Sequence, residues 1–124
     1  MNEERSNKSI LIFGDDETYQ QALATTLTRA QYAVQTTSQW NFVKRQLDEH
    51  AIAVLIYDMR KPYRGGLDTL QRLLATQKQA RVLVLTTFME KSLTEKIKSM
   101  GAFDCLTKPA KREIILDAVL RAMH

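Results

Sequence analysis

Apolar residues fall along this chain in two alternating rhythms. Unbroken runs occur at Ser9–Phe13 (SILIF), Ala53–Tyr57 (AVLIY) and Val82–Leu85 (VLVL), with weaker ones at Tyr32–Val34 and Phe103–Leu106. Short apolar runs bounded by turn residues fit strands buried on both faces, whereas a strand with one wet face would alternate. Between the runs the spacing becomes helical. Tyr19, Leu23, Leu27 and Ala30 share one face. Ser38 is placed to cap a helix that buries Trp40, Val43 and Leu47. Leu67, Leu70 and Leu74 form a third stripe after Gly65-Gly66, and Leu93, Ile97 and Met100 a fourth that Gly101 ends. Ile115, Ala118, Val119 and Ala122 form the fifth. Strand followed by helix, five times over, predicts a three-layer α/β sandwich around a parallel sheet.

Length and composition narrow the picture. With 124 residues, 44% hydrophobic and 26% charged, the chain has the content of one ordinary domain. Residues 1–8 read as a polar tail and 9–124 as the domain. A single cysteine, Cys105, excludes an internal disulfide and suits a reducing compartment. No apolar run reaches the ~18 residues of a membrane helix, and the start carries no secretory segment. A cytoplasmic protein without membrane contact is the expectation. Lys and Arg number 18 against 14 Asp and Glu, a net charge of +4, which raises the question of an acidic partner.

In a parallel α/β sheet the binding site lies beyond the carboxyl ends of the strands. At those positions stand Asp15-Asp16, Asp58, Thr86-Thr87 and Lys108-Pro109. Clustered carboxylates repel unless a cation joins them. A set of oxygen ligands with few carboxylates suits Mg²⁺, which keeps several waters. A lysine supplies a point charge for a phosphoryl group, a threonine hydroxyl donates to its oxygens, and a carboxylate left free can act as nucleophile to give an aspartyl phosphate. No glycine-rich phosphate loop follows the first strand, which argues against a nucleotide- or flavin-binding module. The basic residues form no helical stripe, which argues against direct nucleic-acid binding.

Over about residues 9–123 the sequence resembles the receiver domain of two-component response regulators. The resemblance rests on Ile10-Leu-Ile-Phe-Gly-Asp15-Asp16-Glu17, on Asp58-Met-Arg-Lys-Pro62-Tyr-Arg-Gly-Gly66, on Thr86-Thr87 and on Gly101-Ala-Phe-Asp-Cys-Leu-Thr-Lys108-Pro109. The separations of 42, 28 and 22 residues between Asp16, Asp58, Thr86 and Lys108 also look like the family. The opening and the Lys108-Pro109-Ala110 continuation look most like regulators of redox and photosynthesis operons, which carry a Fis-type DNA-binding domain after the receiver. No such segment is recognised here, so the chain reads as an excised or a stand-alone receiver, and DNA would be contacted only through an output domain outside it.

The resemblance implies a five-stranded parallel sheet in the order 2-1-3-4-5 with five helices, the flavodoxin-like (βα)5 arrangement. It implies that Asp58 accepts a phosphoryl group from a histidine kinase or phosphotransfer protein. Asp16, Asp58 and the backbone carbonyl of Arg60 would bind Mg²⁺, with Asp15 assisting through water. Lys108 would pair with Asp58, and Thr86 would turn to the phosphoryl oxygen. Such a protein is a signalling phosphoacceptor rather than an enzyme with a separate substrate, catalysing its own phosphorylation and dephosphorylation. The helix 4–strand 5–helix 5 face would be the readout, as a homodimer interface or an output-domain contact. Two departures stand out. Cys105 occupies the position of the family's switch aromatic, so either the switch is weaker here or Phe103, two residues earlier and read as lying on the same side of the strand, contributes differently; Cys105 itself reads as a small buried apolar residue rather than a redox group. Lys61 replaces an apolar residue and, with Arg60 and Arg64, makes the loop beside Asp58 basic. A module that retains the pocket but acts without phosphate is the alternative. Setting aside Asp15, Asp16, Asp58 and Lys108, 17 bases face 11 acids, a basic shell around an acidic pocket.

Overall fold

The computed structural model describes residues 9–49, 51–76 and 79–124; the expected tail at 1–8 lies outside the described residues. Five strands are present: β1 (Ser9–Phe13), β2 (Ala33–Thr37), β3 (Val54–Asp58), β4 (Arg81–Thr86) and β5 (Asp104–Thr107). They alternate with α1 (Glu17–Arg29), α2 (Trp40–Asp48), α3 (Leu67–Thr76), α4 (Lys91–Ser99) and α5 (Arg112–Met123). The sheet runs β2-β1-β3-β4-β5 and every pairing is parallel. Among the described residues no helix is long and apolar enough to cross a membrane.

The apolar runs sit where their composition demands. All five residues of β3 are buried, as are Val82–Thr86 of β4. Successive strand side chains point to opposite faces, so each central strand feeds two cores. Leu11, Phe13, Leu55, Tyr57, Val82 and Val84 meet α2, α3 and α4 on one face. Ile10, Ile12, Val54, Ile56, Leu83 and Leu85 meet α1 and α5 on the other. Leu27, Leu55 and Leu73 are wholly buried, and truncating any of them to Ala would cost about 2–5 kcal/mol.

Differences from the sequence reading have physical causes. β2 extends through Gln35-Thr36-Thr37 rather than ending at Val34. As an edge strand it alternates between exposed and half-buried positions, so its polar half gave no apolar run. Ser38 does not cap α2: Gln39 holds the cap position without a side-chain cap bond. Instead the Thr37 hydroxyl accepts from the Gln39 amide at 3.0 Å. Asp16 does cap α1, its Oδ1 accepting from the Tyr19 amide at 3.1 Å. Gln20, absent from the expected apolar face of α1, is buried, and its amide donates to the carbonyls of Ile12 and Thr37, tying the ends of β1 and β2 together. Gly101 ends α4 with φ +121°, a left-handed conformation suited to glycine.

Candidate functional site

The chain leaves β1 toward β2 on one side and β3 toward β4 on the other, and the loops part above the carboxyl ends of β1 and β3. Asp58 is the last residue of β3 and is almost wholly buried. Gly14 permits that placement, since a Cβ there would lie 3.0 Å from the Asp58 Cβ. Lys108 follows β5, and its backbone amide donates to the Thr86 carbonyl at 2.7 Å, bringing the ends of β4 and β5 to Asp58. The Lys108 Nζ donates to Asp58 Oδ1 at 2.8 Å, and the two side chains are 12% and 0% exposed. Asp58 Oδ2 is buried and has no hydrogen-bond partner among the described residues. The predicted pairing of Asp58 with Lys108 is therefore present.

Tyr19 adds a contact that sequence reading assigned only to the core. Its ring lies under the Lys108 ammonium, 4.1 Å from Nζ to the ring centroid, a cation–π arrangement that steadies a largely desolvated charge. Burial, then Asp58 and Asp16, push its phenol above its ordinary pKa of 10. The available signal was an aromatic three residues after the capping Asp16, on the first turn of α1.

The other acids are engaged elsewhere. Asp16 caps α1, and Asp15 Oδ1 accepts from the Arg60 guanidinium at 3.0 Å across the rim. Arg60 is held above its ordinary pKa, first by that hydrogen bond and by the Asp15 charge, with Asp16 and Asp58 adding to it. Among the described residues no three His, Cys, Asp or Glu side chains are gathered into a metal-ligand group. Asp15, Asp16 and Asp58 thus share one rim without forming a closed cage.

Thr86 is fully buried, and its hydroxyl oxygen accepts from the Phe88 amide at 3.1 Å. The Phe88 ring meets Tyr63 edge-on with centroids 6.2 Å apart. The loop carrying Tyr63 makes a wide turn over Pro62–Gly66, in which Gly65 takes φ +102°. At Gly66 a Cβ would fall 2.6 Å from the Lys61 carbonyl oxygen, so only glycine fits there. A cleft of about 360 Å³ beside Asp58 is lined by Asp15, Tyr57, Arg60, Lys61, Arg64 and Thr69, among others. The basic loop predicted from sequence thus borders the acid pocket.

The readings of strand five divide. Cys105 is half-buried and packs toward α2, α3 and α4. Burial, then the Asp104 carboxylate, push its thiol up to about 11, so it is protonated at neutral pH. Phe103 does not lie on the same side. It precedes β5 and packs with the α1 and α5 core, the Arg81 guanidinium 5.0 Å from its ring centroid. The strand begins only at Asp104, so the two-residue alternation that would align Phe103 with Cys105 does not extend back to it.

A doubly wound sheet with a lysine-paired aspartate at the end of β3 defines a class of small α/β domains whose rim carries an acid, a hydroxyl and a base from three separate strand ends. Within that class, the response regulator receiver domain profile matches residues 10–120, and the chain belongs to that family. It is 27% identical over 115 residues to the photosynthetic apparatus regulatory protein RegA of Rhodobacter capsulatus, covering 93% of this chain and 62% of that protein. It is 30% identical over 119 residues to the C4-dicarboxylate transport transcriptional regulatory protein DctD of Pseudomonas aeruginosa, covering 93% of this chain and 25% of that one. The chain thus spans less than two thirds of these curated relatives. Among solved structures it is similar to a Burkholderia pseudomallei response regulator described with a phosphorylated aspartic acid, a calcium ion and citrate. That match has a TM-score of 0.76 at 28% identity, over 91% of this chain and 66% of that one. A Thermotoga maritima response regulator superposes with a TM-score of 0.82 at 17% identity, over 94% and 98% of the two chains, and speaks for the fold alone.

Proposed function

We propose that this receiver domain is switched by Mg²⁺-dependent transfer of a phosphoryl group from a phosphohistidine, on a kinase or phosphotransfer protein, to Asp58. One observation carries the reading: Lys108 holds Oδ1 of a buried Asp58, while Oδ2 has no partner among the described residues. A buried charged oxygen left unpaired is costly, and an incoming cation or phosphoryl group would relieve it. The likeness to a Burkholderia response regulator described with a phosphorylated aspartic acid and a calcium ion supports the same assignment.

The donor set is all oxygen and fits a hard divalent cation. Asp16, Asp58 and the Arg60 carbonyl would hold it, with Asp15 assisting through water. When bound, the ion neutralises charge between the carboxylate and the phosphoryl oxygens. The chain's own residues do the rest. An Asp58 carboxylate oxygen forms the new P–O bond as the P–N bond breaks, and the electron pair leaves with the donor imidazole. Lys108, on its tyrosine platform, stays beside the oxygen it now holds and balances the added charge. The Thr86 hydroxyl turns from the Phe88 amide to donate to the phosphoryl oxygen.

That turn frees the Phe88 N–H and loosens its ring against Tyr63, so with a cysteine at 105 the signal reaches α4 through the β4–α4 loop. The α4–β5–α5 face is the proposed contact for an output domain or a second copy. Control of transcription is the proposed output, by likeness to DctD. Acetyl phosphate with Mg²⁺ is expected to add one phosphoryl mass to the intact chain, and Asp58→Asn to abolish the gain. An unmodified wild-type mass under saturating donor overturns the assignment.

A further inference from the structure

We infer that Arg60 is a built-in competitor for the divalent-cation site: its guanidinium, clasped on Asp15 beside Asp58, must yield that carboxylate before a metal ion can use it. The inference rests on the receiver reading above and concerns the strength of ion binding rather than its existence.

The clasp spans 45 residues of sequence, joining the β1–α1 loop to the β3–α3 loop. It carries a charge-assisted hydrogen bond of 3.0 Å. Its position matters more than its strength. The guanidinium is held by Asp15 first, with smaller pulls from Asp16 and Asp58, so its positive charge lies on the same acid rim that a divalent cation would use. Lys108 already balances one of the three acids from the inner side. Arg60 balances a second from the outer side, leaving less negative charge to draw in an ion. Lys61 and Arg64 border the same cleft, yet among the described residues neither has a carboxylate within 4.0 Å. The clasp therefore belongs to Arg60 alone in that basic loop. The same residue would offer its backbone carbonyl to the proposed ion, so the competition lies in the side chain and its hold on Asp15 alone.

Substituting the side chain keeps the carbonyl, which isolates the effect. The test is calorimetric titration of MgCl₂ alone into wild type, Arg60→Ala, Arg60→Gln, Asp15→Asn and Arg60→Ala/Asp15→Asn. Both Arg60 variants are expected to bind Mg²⁺ about two- to fivefold more tightly than wild type, the range an exposed ion pair commands. In the Asp15→Asn background, replacing Arg60 is expected to change affinity by less than the error. Arg60 variants that bind no more tightly than wild type overturn the inference while leaving the receiver chemistry intact. A gain that persists undiminished without Asp15 overturns the clasp as its cause. If no variant and no wild type takes up Mg²⁺, the inference falls together with the metal-dependent reading, which the phosphoryl-mass experiment judges separately.

Discussion

Two ion pairs share the rim of this domain and differ in almost everything but their components. Lys108 and Asp58 meet at 2.8 Å with side chains 12% and 0% exposed. Arg60 and Asp15 meet at 3.0 Å with side chains 49% and 72% exposed. Distance alone would rank them as equals. Burial separates them, because a charge withdrawn from water depends on its partner, while an exposed charge can exchange its partner for solvent. The inner pair is thus part of the folded structure. The outer pair is a removable cover, free to be traded for an ion or an approaching partner.

The contrast breaks most visibly at Lys108. Lys108→Met leaves Asp58 buried with both oxygens unpartnered, and the expected loss in urea denaturation is on the order of 3 kcal/mol. Adding Asp58→Asn removes the stranded charge, and most of the loss is expected to return. If the single variant matches wild type, the inner pair is no more structural than the outer one and the contrast collapses.

Cys105 sharpens the comparison by showing burial with no cation paired to the group. Its thiol titrates near 11 rather than 9, first because it is buried. Below pH 9 the native and unfolded chains both hold the proton, and that contribution to stability is complete. Between pH 9 and 11 the unfolded chain releases the proton first, so stability falls as pH rises. The raised phenols of Tyr19 and Tyr57 act in the same direction from pH 10 upward, and only Cys105→Ala removes the cysteine's share. A shallower decline in that variant is expected, with slow alkylation of the wild-type thiol at pH 8. Rapid labelling at pH 8 would show that the site opens to water.

What could be read from sequence follows the same division between inside and outside. β1, β3 and β4 announced themselves because strands buried on both faces must be apolar throughout. Asp58, Thr86 and Lys108 could be placed because each directly follows or ends such a strand. β2 was cut short because an edge strand tolerates Gln35, Thr36 and Thr37. The Asp15–Arg60 clasp was invisible because two exposed loop residues 45 positions apart carry no periodic mark. Tyr19 looks like core in the sequence because a ring on a helical stripe has the same spacing whether an aliphatic chain or an ammonium lies above it. Phe103 departs from the alternation that its spacing from Cys105 suggests, because it lies one residue before the strand begins.

The smallest expected effect is also the one that decides whether the outer pair is only a cover. Arg60→Ala removes a guanidinium that is half-exposed, on a carboxylate more exposed still. Both groups regain water when parted. The urea midpoint of Arg60→Ala is therefore expected to match wild type within error at 0.15 M salt, where screening has already weakened the pair. The same substitution is expected to tighten Mg²⁺ binding. A residue silent in stability yet active in ion affinity acts on the occupied site and not on the fold. If Arg60→Ala instead lowers the midpoint as Lys108→Met does, the clasp is holding the β1–α1 and β3–α3 loops together. It would then be a strut of the empty domain, and any gain in ion affinity would have to come from a loosened loop.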